Sequence, residues 1–139
     1  MKARIQWVQD AMFLGESGSG HVIVMDGPAE HGGRNLGCRP METLLMGMGG
    51  CAAFDVVHIL KKSRQKVTKC IAEITAERAE AVPSVFTKIH LNFLVSGQDL
   101  KAKQVQRAVE LSAEKYCSAS IMLGKAGVEI THSYEVQPD

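Results

Sequence analysis

The stretch LLMGMGGCAAFDVVHIL, residues 44–60, constrains this chain more than any other. It reads as the inside of a helix, yet it carries glycines at 47, 49 and 50, each of which costs roughly 1 kcal/mol against alanine there. Small residues in such a segment let another backbone come close or leave a pocket open. The element expected is a long helix from Pro40 to about Arg64, apolar nearly all round and buried on most sides. Pro40 needs no N–H donor in the first turn, Glu42 suits the positive end of the dipole, and KKSRQK places cations at the other end. Asp55 and His58 inside the stretch, with strand-like segments on both sides, argue against a membrane span.

Around this helix the apolar periodicity changes to two. Ala3, Ile5 and Trp7 alternate with Lys2, Arg4 and Gln6, and AMFLGES and GHVIVMDG continue the pattern across the turn GESGSG, so a three-stranded antiparallel meander opens the chain. GPAEHGGRNLGCR has four glycines and no period and reads as a mobile loop. Thr68, Cys70, Ala72, Ile74 and Ala76 mark a strand with one wet face, as do Ile89, Leu91, Phe93 and Val95 beyond the Pro83 break. Helical spacing returns from Leu100 to Tyr116, SASIML closed by Gly124 makes a second short helix, and Val128, Ile130, Tyr134 and Val136 form a last strand. Three strands, a long helix, two strands, a helix pair and a strand make an α+β domain.

With 139 residues, 45% hydrophobic and 22% charged, the chain has the size of a single domain, residues 1–139. Sixteen basic and fifteen acidic side chains leave a net charge of +1, which supports neither a nucleic-acid footprint nor an acidic tail. MKARIQWVQD lacks the apolar core and cleavage site of a secretory signal, so a cytoplasmic location is expected.

The cysteines stand at 38, 51, 70 and 117, with no C-x-x-C pair. Cys51 lies on the long helix where Gly47, Gly50 and Ala53 bare the surface. Asp55 at i+4 and His58 at i+7 share its face, a spacing open to a metal site, a Cys–His pair or mutual hydrogen bonds; the metal reading lacks a fourth ligand, and no metal or cofactor is expected. Cys117 falls at the break before SASIML, where free N–H groups of the new helix can stabilise a thiolate and Ser118 or Ser120 would cap it. Cys70 reads as a core residue and Cys38 as an exposed, incidental thiol. Met25, Met41, Met46, Met48 and Met122 could line an adaptable apolar pocket or simply fill the core.

Pro40-Met41-Glu42-Thr43-Leu44, then Gly49-Gly50-Cys51-Ala52-Ala53, then Cys117-Ser118-Ala119-Ser120 together resemble the OsmC/Ohr family of thiol-dependent hydroperoxide reductases, over nearly the whole chain. The resemblance implies an intertwined homodimer in which antiparallel sheets pack on long central helices and each site draws on both subunits. It implies a peroxidatic role for Cys51 and a resolving role for Cys117, with an organic hydroperoxide as substrate and an external dithiol as reductant. Two departures stand out: Ser118 replaces a proline of the second-cysteine motif, and Met41 occupies the position of the catalytic carboxylate, with Glu42 turned about 100° round the helix. Arg39 and Arg34 in the loop are the candidates to lower the pKa of Cys51. Two further functions fit the same residues: a non-enzymatic module binding a small apolar ligand between subunits, and a Cys51/Cys117 redox sensor that switches without turnover.

Overall fold

Period-two alternation at the start of the chain becomes three antiparallel strands, β1 (Ala3–Gln9), β2 (Met12–Ser17) and β3 (Val22–Met25), in the order β1-β2-β3. Asp10 takes a left-handed φ of 47° in the first turn, and its carbonyl accepts the Trp7 indole N–H at 2.9 Å. Gly15 pairs with Ile5 on one side and Ile23 on the other, and side-chain atoms of Ile5, Ile23 and Met25 close over it. The apolar face expected to be half-buried is left open within the chain: Ile5 is 59% exposed and Trp7 62%. The computed structural model describes residues 1–138, and the chain divides into two units, Met1–Met46 and the part from Gly47 onward.

The glycine-rich loop after β3 is tied down rather than mobile, because a buried carboxylate organises it. Asp26 accepts backbone N–H bonds from Gly27 at 2.7 Å, Leu36 at 3.1 Å and Arg34 at 3.2 Å. The Leu36 bond, then those of Gly27 and Arg34 and the Arg34 charge, hold it below the usual carboxylate range against the opposing effect of burial. Cys38 is likewise no exposed thiol. It bridges to Met25, and its sulfur lies 3.2 Å from the Thr43 hydroxyl and 3.5 Å from the Val24 carbonyl. An open apolar cleft of about 630 Å³ in this unit is lined by Ile5, Phe13, Met25, Pro28 and Pro40 among others.

The long helix, α1 (Pro40–Lys62), ends two residues before Arg64 because Arg64 adopts a left-handed φ of 59°. Its buried residues are Met48, Gly49, Ala52, Val56 and Leu60, a single stripe at helical spacing. The expectation of burial on most sides therefore does not hold within one chain. By length and composition α1 could cross a membrane, and 28% of its most apolar window is buried in the chain. Phe54 is 69% exposed and Met46 56%. Of the three glycines, Gly49 explains itself: a Cβ there would meet Ile74 Cδ1 at 2.5 Å, so the end of an isoleucine side chain from the following strand fills the space. A Cβ on Gly47 or Gly50 would meet nothing within 4 Å.

That strand, β4 (Lys66–Arg78), pairs antiparallel with β5 (Phe86–Gln98), and β5 pairs with β6 (Glu129–Gln137). The β5–β6 pairing is parallel, which corrects the expectation of purely antiparallel sheets. A parallel neighbour needs a long crossover, and the helices α2 (Ala102–Leu111) and α3 (Ser118–Lys125) supply it. Ile89, Leu91, Phe93 and Val95 of β5 are all buried, as are Val105, Ala108 and Val109 of α2; together with the α1 stripe they form the apolar core of this unit.

Candidate active site

Two breaks in regular helix set the position of Cys117. After α2 the chain widens into a π-helical turn, Ser112–Tyr116, closed by the Cys117 N–H on the Ser112 carbonyl at 2.8 Å. Single π-turns of this kind leave the backbone displaced by a residue and are frequent at functional sites. The Ser112 hydroxyl, in a residue 1% exposed, donates to the Ala52 carbonyl of α1 at 3.2 Å. This bond ties the residue next to Cys51 to the turn that leads into Cys117. Neither Ser112 nor the π-turn was legible in the sequence, where the same residues continue a helical period.

Cys117 is itself the N-cap of α3, with an extended ψ of 98° and its sulfur accepting from the Ser120 N–H at 3.5 Å and the Ser120 hydroxyl at 3.2 Å. Ser118 and Ser120 were the expected caps; the cysteine takes that role, and Ser120 serves the sulfur. The expected thiolate does not follow from this cap. Burial of the fully enclosed thiol pushes its pKa up, the two Ser120 bonds oppose that, and nearby Cys51 adds to the rise.

Cys51 is half-buried on α1, and Asp55 follows it by one turn. The sulfurs of Cys51 and Cys117 and a carboxylate oxygen of Asp55 all lie within 4.8 Å of one another. Asp55 Oδ2 is buried without a hydrogen-bond partner. This trio is one donor short of the four that a structural zinc takes, and His58, whose spacing invited a metal reading, is exposed and stacked on Phe54 at 5.8 Å. Cys70 is half-buried in β4, where burial raises its thiol pKa.

The two supporting candidates are occupied in the first unit. Glu42 Oε2 accepts the Arg39 backbone N–H at 2.8 Å, half of a capping box at the start of α1. The Arg39 guanidinium donates to Asn35 Oδ1 at 2.9 Å, the Gly37 carbonyl at 3.2 Å and the Asp26 carbonyl at 3.4 Å, a role in holding the loop. The backbone N–H of Arg34 serves Asp26.

Residues 32–133 match the family model for OsmC-like protein. The chain belongs to the OsmC-like family. Protein YhfA of Escherichia coli K12 is 55% identical, with 98% of each chain covered. A hypothetical protein from Aquifex aeolicus has a solved structure that superimposes with a TM-score of 0.85 at 32% identity, covering 99% of this chain and 96% of that one. The organic hydroperoxide resistance protein OsmC of Legionella pneumophila shares the fold, with a TM-score of 0.69 at 13% identity and 97% of each chain covered.

Proposed function

We propose that this OsmC-like chain is a two-cysteine thiol peroxidase that reduces organic hydroperoxides. The carrying observation is the approach of the Cys51 and Cys117 sulfurs to within 4.8 Å, although 66 positions (117 − 51) separate them in sequence. A disulfide needs the two sulfurs to close to about 2.0 Å. The name of the Legionella relative as an organic hydroperoxide resistance protein supports the substrate class.

The division of labour follows from exposure. Half-buried Cys51 meets the oxidant, and its sulfur attacks the O–O bond; the S–O bond forms as the alkoxide leaves and is protonated, giving an alcohol and a Cys51 sulfenic acid. Enclosed Cys117 condenses with that sulfenic acid, releasing water and forming the disulfide. An external dithiol returns both thiols by exchange. A reducing, cytoplasmic setting suits such a cycle.

The working form is a homodimer. Leu44, Met46 and Phe54 on α1 and Ile5, Trp7, Val22 and Ile23 on the first sheet are exposed apolar side chains, more than a monomer ordinarily leaves in contact with water. The open space at Gly47 and Gly50 gives a second copy room to approach α1 closely.

The test follows consumption of cumene hydroperoxide and hydrogen peroxide with a dithiol present, in the wild type, Cys51→Ser and Cys117→Ser. Turnover with the organic peroxide that vanishes in Cys51→Ser is expected, and loss unaffected by Cys51→Ser ends the enzyme reading. Disulfide formation without turnover would favour a sensor. No thiol oxidation would favour a binding module. Light scattering on the eluted protein gives the dimer.

A further inference from the structure

We infer that Asp55 is the proton carrier of the dithiol: its carboxylate takes the proton of the attacking cysteine and hands it to the departing group, in both half-reactions. The inference rests on the hydroperoxide-reductase reading above. Asp55 stands one turn beyond Cys51 on α1, and one carboxylate oxygen lies within 4.8 Å of both sulfurs. Its Oδ2 is buried without a donor, which leaves a proton acceptor free at the site. Glu42 caps the start of α1, and Met41 stands where the family resemblance calls for a carboxylate. The titratable groups brought together are Cys51 and Asp55 from α1 and Cys117 from the start of α3, with the Ser120 hydroxyl on the Cys117 sulfur.

The chemistry balances without a further reactant. As the Cys51 sulfur bonds to the distal peroxide oxygen, the thiol proton passes to the carboxylate, the O–O bond breaks, and the proton moves on to the alkoxide. The products are Cys51–SOH and ROH, with the carboxylate restored. In the second step the Cys117 sulfur bonds to the Cys51 sulfur and the S–O bond breaks. The Cys117 proton travels through the same carboxylate to the leaving hydroxide, giving the disulfide and water. Burial favours the neutral thiol of Cys117, which makes a nearby base most useful in this step.

The experiment compares Asp55→Asn and Asp55→Glu with Asp55 in the Cys117→Ser background, following sulfenic acid formation with cumene hydroperoxide from pH 5.5 to 8.5, with a chelator present. Asp55→Asn is expected to slow the step by about 100-fold near pH 6. Its rate should rise about tenfold per pH unit, because only preformed thiolate reacts, while the Asp55 protein shows a shallow profile and Asp55→Glu recovers part of it. A purely structural role would lower the rate and leave the slope alone, and an unchanged rate and slope would overturn the inference. A second arm uses Ellman's aromatic disulfide with both cysteines present: Cys51 releases the first thiol and Cys117 the second, and Asp55→Asn should slow the second release at least tenfold at pH 6. If wild-type protein ignores hydroperoxides while this release depends on Asp55, the peroxidase reading fails and Asp55 stands as the proton acceptor of Cys117 in thiol exchange alone. If Asp55→Asn consumes hydroperoxide at the wild-type rate and slope, the carrier role fails and the peroxidase reading stands.

Discussion

Replacing Gly49 by alanine sets two effects of known sign against each other. Alanine in a helix interior gains about 1 kcal/mol over glycine. The new Cβ would lie 2.5 Å from Ile74 Cδ1, too close to keep, and 3.6 Å from Ile74 Cγ1, an ordinary contact. Overpacking of this kind costs typically about 1–3 kcal/mol, so Gly49→Ala should range from neutral to about 2 kcal/mol destabilising. Ile74→Val removes only the clashing methyl and alone costs about 0.5–1.5 kcal/mol. In that background Gly49→Ala should stabilise by about 1 kcal/mol, a coupling of about 1–3 kcal/mol between the two positions. Denaturant titrations of the four proteins at one concentration measure this as midpoint shifts at constant slope. If Gly49→Ala has the same effect in both backgrounds to within about 0.5 kcal/mol, the close approach of β4 is not the reason for this glycine.

Ser112→Ala should cost about 1 kcal/mol by thermal or chemical unfolding and should slow formation of the Cys51–Cys117 disulfide, which mass spectrometry of quenched samples would time. His132, stacked on Phe93 with a buried and unpartnered Nε2, is held below the usual histidine range by burial and then by the charge of His90. The unfolded chain therefore binds that proton more readily, so stability is full above about pH 6.5 and falls on acidification by at most about 1.4 kcal/mol per pH unit; His132→Phe should flatten that slope. The lowered Asp26 carboxylate works in a more acid window: its contribution is present above about pH 4 and is lost as pH falls through the depressed folded-state value. Asp26→Asn should speed hydrogen exchange at the Gly27, Arg34 and Leu36 amides, and unchanged exchange would remove Asp26 from its place at the centre of the loop.

What the sequence disclosed was periodic. Ile89, Leu91, Phe93 and Val95 declared a buried strand face, and all four are buried. Pro40 and the apolar run after it declared α1 to within two residues at its far end. What it hid depended on the third dimension or on a second use of a residue. Parallel pairing of β6 leaves no mark in β6's own alternation. Asp26 read only as the end of the third strand segment, although the pair Asp26-Gly27 before a proline was a signal that its carboxylate could gather backbone donors. Asp55 was visible as a partner of Cys51 by spacing, but its proximity to Cys117 needed the fold. His58 satisfied the same spacing and lies exposed against Phe54, on the side of α1 turned away from the buried stripe of Met48, Ala52, Val56 and Leu60.

Cys117 anchors the first turn of α3 with the same sulfur that a disulfide would consume. Divalent sulfur bonded to a second sulfur is a poorer acceptor than a thiol or thiolate, so the proposed disulfide would loosen the Ser120 amide at the moment it joined the two segments. The oxidation state of one atom would thereby be written into the firmness of a helix end.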